Sequence, residues 1–142
     1  MRELVDETRR GMFAGIAAAR PGNTLGDIAA AVEAVALEHG YSVLREYGGH
    51  GIGSEMHEEP FVPNFRGAGR GRKLEPGMCL AIEPMFTLGG PEVRVRDDGW
   101  TVATADGSLA AHWEHTIAIL PEGTEILTVN DRSERLSGEA GV

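Results

Sequence analysis

The spacing of the apolar residues changes at Gly40, and this change constrains the fold more than any other feature of the sequence. Before Gly40 the chain carries two stripes at helical spacing, separated by the helix-breaking residues 20–23. Thr24 can cap the second helix by accepting a hydrogen bond from the backbone N–H of Asp27. The stripes comprise Leu4, Thr8, Met12, Ile16 and Ala19, then Leu25, Ile28, Val32, Val35 and Ala36.

After Gly40, apolar and polar residues alternate, which predicts β-strands. The predicted strands are 42–45, 79–87, 93–96, 100–104, 113–120 and 125–129. Turn-forming residues at 97–99 and 105–108 join neighbouring strands, which favours an antiparallel meander. We therefore predict an α+β fold in which two N-terminal helices accompany an antiparallel sheet.

Composition limits the possible partners. A chain of 142 residues, 42% hydrophobic and 25% charged, suits one domain with a packed core. The net charge of −9 argues against nucleic acid, because phosphate binding needs clustered cations. No apolar run approaches the roughly 20 residues of a membrane span, and the N-terminus lacks the apolar stretch of a secretory signal. We expect a cytoplasmic protein with no membrane partner, a domain at 1–130 and a polar tail at 131–142.

Three segments carry the side chains that are typical of a metal-dependent hydrolase. Imidazole nitrogens and carboxylate oxygens are donors that hold divalent first-row cations, and such cations activate water. The first segment reads Gly-His-Gly-Ile-Gly at 49–53 and Met-His-Glu-Glu-Pro at 56–60. The others read Ile-Glu-Pro-Met at 82–85 and Trp-Glu-His-Thr at 113–116.

Strand alternation places two glutamates in similar surroundings. Glu83 shares a face with Ala81, and Glu114 shares a face with Thr116 and Ala118. Small neighbours leave room for an ion, and a carboxylate in an apolar strand is costly to bury unless a cation neutralises it. The alternative is that either glutamate faces solvent on a half-exposed sheet.

Glycines around His50 make a helix improbable there and predict a tight backbone path that allows close approach of chain or ligand. His57 is expected at a turn that ends at Pro60, within reach of the same cavity. Glu58 and Glu59 either orient the ring of His57 or are surface acids. The remaining histidines are expected to be ordinary core or surface groups, namely His39, His112 and His115.

Taken in order, these motifs resemble the C-terminal half of a type I methionine aminopeptidase. The resemblance includes Asp-Gly-Trp-Thr at 98–101, extends from about Leu4 to about Val129, and is specific as a set. The first motif alone also occurs in the related proline dipeptidases. The family implies a partial pita-bread fold, with two helices and a curved antiparallel sheet. It also implies removal of N-terminal methionine from peptides and nascent proteins.

The resemblance implies a role for each matched residue. His50, Glu83 and Glu114 would be metal ligands, and Glu114 would bridge two divalent ions, for which Co, Mn, Fe and Zn are all candidates. Glu83 would also carry a proton to the leaving nitrogen. Substrate contacts would come from His57 at the scissile peptide, from Trp100 at the methionine side chain, and from Met56 beside it.

The sequence departs from the family pattern in one respect. The family takes two further aspartate ligands and a substrate-binding histidine from its N-terminal half, whereas the aspartates before His50 are Asp6 and Asp27, both on predicted helices. We therefore expect the chain alone to be impaired as an enzyme and to hold one ion or none. Two alternatives stay open: a non-enzymatic peptide-binding or protein-binding module, and a fragment that needs a partner chain or a dimer across an open sheet edge.

Overall fold

The computed structural model of the protein describes residues 1–67 and 69–129. Helix α1 spans Arg2–Ala18 and helix α2 spans Leu25–Glu38. The strands are β1 Ser42–Val43, β2 Gly49–Gly51, β3 Glu58–Val62, β4 Cys79–Ile82, β5 Met85–Thr87, β6 Val93–Val95, β7 Val102–Thr104, β8 Ala110–His112, β9 His115–Leu120 and β10 Gly123–Ile126. The predicted tail at 131–142 lies outside the described residues.

Both helices form where the apolar spacing predicts them, and their stripes face the core. All ten stripe residues are buried. Helix α2 begins with a capping box, in which the carboxylate of Asp27 accepts hydrogen bonds from the backbone N–H of Thr24 at 2.7 Å and from its hydroxyl at 2.9 Å. The backbone hydrogen bond, and then the hydroxyl one, lower the pKa of Asp27. The carboxylate of Asp27 is therefore occupied in capping the start of α2.

The strands form three antiparallel sheets. The largest has the order β10-β9-β4-β2-β3, the second has the order β1-β5-β8, and β6 pairs with β7. The predicted antiparallel pairing is therefore confirmed, but the meander is wrong, because β4 inserts between β2 and β9. The hairpin β6–β7, turned at 97–99, follows the sequence prediction.

The long strand predicted at 79–87 is in fact two strands in two different sheets. It breaks at Glu83 and Pro84, so that β4 belongs to the five-stranded sheet and β5 to the three-stranded one. Proline has no backbone N–H and cannot continue a hydrogen-bonded ladder in both directions. Glu83 consequently lies at the junction of two sheets.

Three strands were not predicted, namely β2, β3 and β8. Strand β2 is glycine-rich and β3 contains Pro60, so neither shows clear alternation. The turn predicted to end at Pro60 is therefore wrong, because residues 58–62 form β3 and His57 immediately precedes it.

The apolar core joins the two helices to the sheets. Leu80, Ile82, Ile117 and Ile119 from β4 and β9 are fully buried and belong to the same cluster as the helix stripes. Phe86 of β5 is also fully buried, and a Cβ atom at Gly11 of α1 would lie 2.6 Å from its Cζ atom. None of the helices in the described ranges is long and apolar enough to cross a membrane.

Phe86→Ala is predicted to lower the free energy of unfolding by about 3–5 kcal/mol, because Phe86 is fully buried and its truncation opens a cavity in the core. Phe61→Ala is the matched control, since Phe61 is 45% exposed, and its loss is expected to be on the order of 1 kcal/mol. Urea denaturation of both variants measures the difference. Equal losses would contradict this account of the core.

Candidate metal centre

The structure brings His50, Glu83 and Glu114 together. A ring nitrogen of His50 and one carboxylate oxygen from each glutamate all lie within 4.8 Å of one another. The Nε2 atom of His50 is 3.3 Å from Oε1 of Glu83, and the side chains of these two residues are only 15% and 12% exposed. Glu114 is exposed. Two members of the cluster, His50 and Glu83, are therefore part-buried, and the cluster is open to solvent at Glu114.

Sheet register explains why these distant residues meet. Ile82 of β4 pairs with His115 of β9. Glu83 follows Ile82 and Glu114 precedes His115, so both glutamates lie one residue beyond this pair, at the same end of the two strands. His50 of β2 pairs with Ala81, on the other side of β4. Glu83 lies two residues after Ala81 and thus on its face, within diagonal reach of His50. The predicted small neighbour at Ala81 leaves this space open.

Glycines on both sides of His50 permit the close approach of neighbouring strands. A Cβ atom at Gly49 would lie 2.1 Å from the carbonyl oxygen of Ala81, and one at Gly51 would lie 2.2 Å from that of Glu59. No side chain fits at such distances without movement of the backbone. The predicted close approach is therefore between chain segments, and it places the His50 ring beside β4.

The orientation of the His50 ring suits a metal ligand. Its Nδ1 atom lies 2.8 Å from the carbonyl oxygen of Gly51, and a carbonyl only accepts hydrogen bonds, so Nδ1 carries the hydrogen in this contact. In the neutral ring, Nε2 then presents a lone pair toward the carboxylate of Glu83. The lone pairs on Nε2 of His50 and Oε1 of Glu83, 3.3 Å apart, repel each other unless a cation binds to both atoms. Metal-bound histidines usually donate their other ring N–H in this way.

Anchored neighbours fix the backbone on both sides of Glu114. The indole N–H of Trp113 donates to the carbonyl of Val5 in α1 at 3.1 Å. On the other side, His115 is buried and its Nδ1 atom hydrogen-bonds the hydroxyl of Thr128 at 2.8 Å. His115 is therefore a core histidine, one of the two ordinary placements, core or surface, that were predicted for it.

Asn64 secures the backbone of Glu83. It is 1% exposed, and its side-chain amide donates to the carbonyl of Glu83 at 3.1 Å. This carbonyl lies where β4 ends and Pro84 interrupts the ladder, so the side chain replaces a strand partner. Sequence reasoning missed Asn64, because no local pattern links it to a residue nineteen positions away.

Two further histidines lie beside the cluster. The ring centroid of His57 is 4.3 Å from that of His50, so the two rings are neighbours, while their shared cavity stays a prediction. His112 was expected to be an ordinary surface or core group, and its side chain is 47% exposed, yet its Nε2 atom lies 3.3 Å from Oε2 of Glu83. His112 lies two residues before Glu114, and residues two apart in an extended segment point to the same side. This spacing is the sequence signal that could have indicated that His112 lies near the cluster.

The residues predicted to bind the methionine side chain are strongly exposed. Trp100 is 87% exposed and Met56 is 71% exposed. Asp98 fixes the hairpin that carries Trp100 by accepting hydrogen bonds from the backbone N–H groups of Trp100 and Thr101 and from the hydroxyl of Thr101. The hydroxyl contact, followed by the two backbone contacts, lowers the pKa of Asp98. The substrate role of both side chains stays a prediction.

The other acidic candidates lie elsewhere. Asp6 belongs to α1 and Asp27 to the start of α2, and neither joins the metal-binding group found among residues 1–67 and 69–129. Glu58 and Glu59 are exposed, as surface acids are. The donor set available in the described chain is thus one imidazole and two carboxylates, which fits a divalent first-row cation.

Comparison with known proteins places this chain in a family. Residues 1–121 match the model of metallopeptidase family M24. The chain is 51% identical over 127 residues to methionine aminopeptidase of Clostridium perfringens, covering 89% of this chain and 51% of that protein. It is 52% identical over 132 residues to methionine aminopeptidase 1 of Mycobacterium tuberculosis, covering 89% and 50% respectively. The crystal structure of methionine aminopeptidase from Thermotoga maritima superposes with a TM-score of 0.87 at 46% identity, covering 91% of this chain and 52% of that one.

The chain therefore belongs to metallopeptidase family M24. Its fold is the pita-bread α+β fold, and its resemblance to type I methionine aminopeptidases is confirmed. Family membership implies the use of a divalent metal. The chain spans about half the length of the relatives that it matches.

Asn64→Ala is predicted to lower the free energy of unfolding by about 1–3 kcal/mol, because it leaves the carbonyl of Glu83 without its buried donor. Urea denaturation measures the loss. An unchanged transition midpoint would show that Asn64 does not secure the end of β4.

Proposed function

We propose that this chain carries a catalytic half-site of a metal-dependent methionyl aminopeptidase, with His50, Glu83 and Glu114 as the metal ligands. The convergence of these three donor groups within 4.8 Å carries the proposal. Relatives named methionine aminopeptidase, about half identical over the matched region, supply the reaction. The substrates would be peptides and nascent proteins that begin with methionine, and the compartment would be the cytoplasm, where such chains are made.

A divalent cation held by these residues would lower the pKa of a coordinated water and polarise the substrate carbonyl. Glu83 is the general base of the proposal: its carboxylate takes a proton from the attacking water and returns it to the leaving nitrogen. His57, beside His50, donates a hydrogen bond to the carbonyl oxygen as negative charge develops there. Exposed Trp100 and Met56 are available to contact the methionine side chain.

Three donor groups favour one ion rather than two. Each carboxylate offsets part of the cost of stripping water from a cation, and the described chain offers only two carboxylates at the site. One imidazole and two carboxylates suit Mn, Fe, Co and Zn alike. We therefore propose weak binding of a single ion and low activity in the isolated chain.

A second candidate function is that of a fragment that works with a complementing chain or as a dimer. Strand β3 is an edge of the five-stranded sheet, and Phe61 on this strand is 45% exposed. An exposed edge with apolar side chains can pair with another chain. A third candidate is a peptide-binding module without catalysis. Such a module does not need an imidazole and two carboxylates clustered together, so the cluster argues against this candidate.

Mn²⁺ titration by isothermal calorimetry is predicted to give about one bound ion per chain, through the three proposed ligands. Glu83→Gln is expected to reduce affinity by more than about tenfold, because it removes an anionic donor. Glu122→Gln removes the same charge from an exposed turn and serves as the matched control. No binding by the unaltered chain, or equal effects of both variants, would refute the proposed site.

The isolated chain with Mn²⁺ or Co²⁺ is predicted to release methionine from a Met-Ala-Ser peptide slowly or not at all, because the donor set is small. Mass spectrometry of the peptide measures release over time. Fast turnover by the purified monomer, abolished by Glu83→Gln, would show that the chain needs no further ligands or partner. Turnover that rises steeply with protein concentration would instead favour the dimer.

A further inference from the structure

The carboxylate of Glu83 has a histidine on each oxygen. Oε1 faces Nε2 of His50, and Oε2 faces Nε2 of His112, each at 3.3 Å. Resting on the function proposed above, we propose that His112 is a positioning residue: it holds Oε2 so that Oε1 stays directed at the metal position beside His50.

The fold delivers His112 from a different sheet than His50. Strand β8 pairs with β5, and His112 stands opposite Met85, two residues after Glu83. His50 reaches Glu83 through β2 and β4 of the five-stranded sheet. The break at Pro84 lets one carboxylate be approached from both sheets. His112 therefore fixes Glu83 relative to the second sheet, which the three-ligand cluster by itself does not do.

The geometry assigns His112 a position outside the ligand set. Its ring is not a member of the group whose donor atoms all lie within 4.8 Å of one another. It instead contacts the oxygen of Glu83 that is not facing His50. With Nε2 of His112 3.3 Å from Oε2, an imidazole that carries its hydrogen on Nε2 would restrict rotation of the carboxylate, which otherwise must be ordered when a cation binds.

The exposure of His112 allows an effect on metal binding to be distinguished from an effect on core packing. Its side chain is 47% exposed, so its removal opens no core cavity and is expected to change stability little. Loss of a residue that orients a metal ligand typically weakens metal affinity by about 10–100-fold. The inference thus predicts a large effect on metal binding with a small effect on folding.

The test compares Mn²⁺ affinity of three variants by calorimetry, with urea denaturation as the measure of folding. His112→Ala is expected to weaken Mn²⁺ binding by about tenfold or more. His112→Gln keeps an N–H donor that can reach Oε2, and is expected to restore most of the affinity. His39→Ala is the matched control, because His39 contacts Glu7 and Tyr41 between the helices rather than Glu83.

Each outcome decides the matter. Weakened binding in His112→Ala with recovery in His112→Gln supports the positioning role. Weakening in both variants overturns it in favour of direct ligation, since a carboxamide is a poor ligand for these metals. Unchanged affinity in His112→Ala, while Glu83→Gln weakens binding by more than about tenfold, overturns the inference and leaves the proposed function intact. If the unaltered chain binds no Mn²⁺, both proposals fail.

Discussion

The missing amide hydrogen of Pro84 is the constraint on which the site depends. Without it, the strand that begins at Cys79 cannot run on as one ladder, and the chain divides between two sheets at Glu83. The carboxylate of Glu83 therefore projects where side chains of both sheets can reach it. Asn64 and Trp113 compensate for the interruption by donating hydrogen bonds to the carbonyls of Glu83 and Pro84.

Around this break, the structure holds each candidate ligand by its neighbours rather than by local sequence. The Gly51 carbonyl orients the ring of His50. Trp113 is tied to α1, and His115 is buried against the core, so the backbone of Glu114 is held from both sides. The fold thus holds the candidate donor groups close to one another, and such preorganisation lowers the ordering cost of binding a cation.

The helices and the presence of strands were predictable from local spacing, because burial of one face imposes a period of 3.6 or 2 on the sequence. The capping box at Thr24 and Asp27 was equally local. Strands β2 and β3 escaped prediction because glycine and proline obscure alternation, and the order β10-β9-β4-β2-β3 escaped it because pairing between distant strands leaves no short-range signal. The contact of His112 with Glu83 was not predicted either, because it too depends on pairing between distant strands.

By itself, the sequence determined the resemblance to a family and, through it, the candidate donors: one imidazole and two carboxylates, set among small residues that leave room for a cation. The resemblance is specific because those residues stand in a specific order and separation. Only the tertiary structure decided that the donors meet, that Asn64 secures Glu83, and that His112 reaches its second oxygen. Residue chemistry is a local property, whereas distance between side chains depends on strand register, which is fixed by packing of the whole chain.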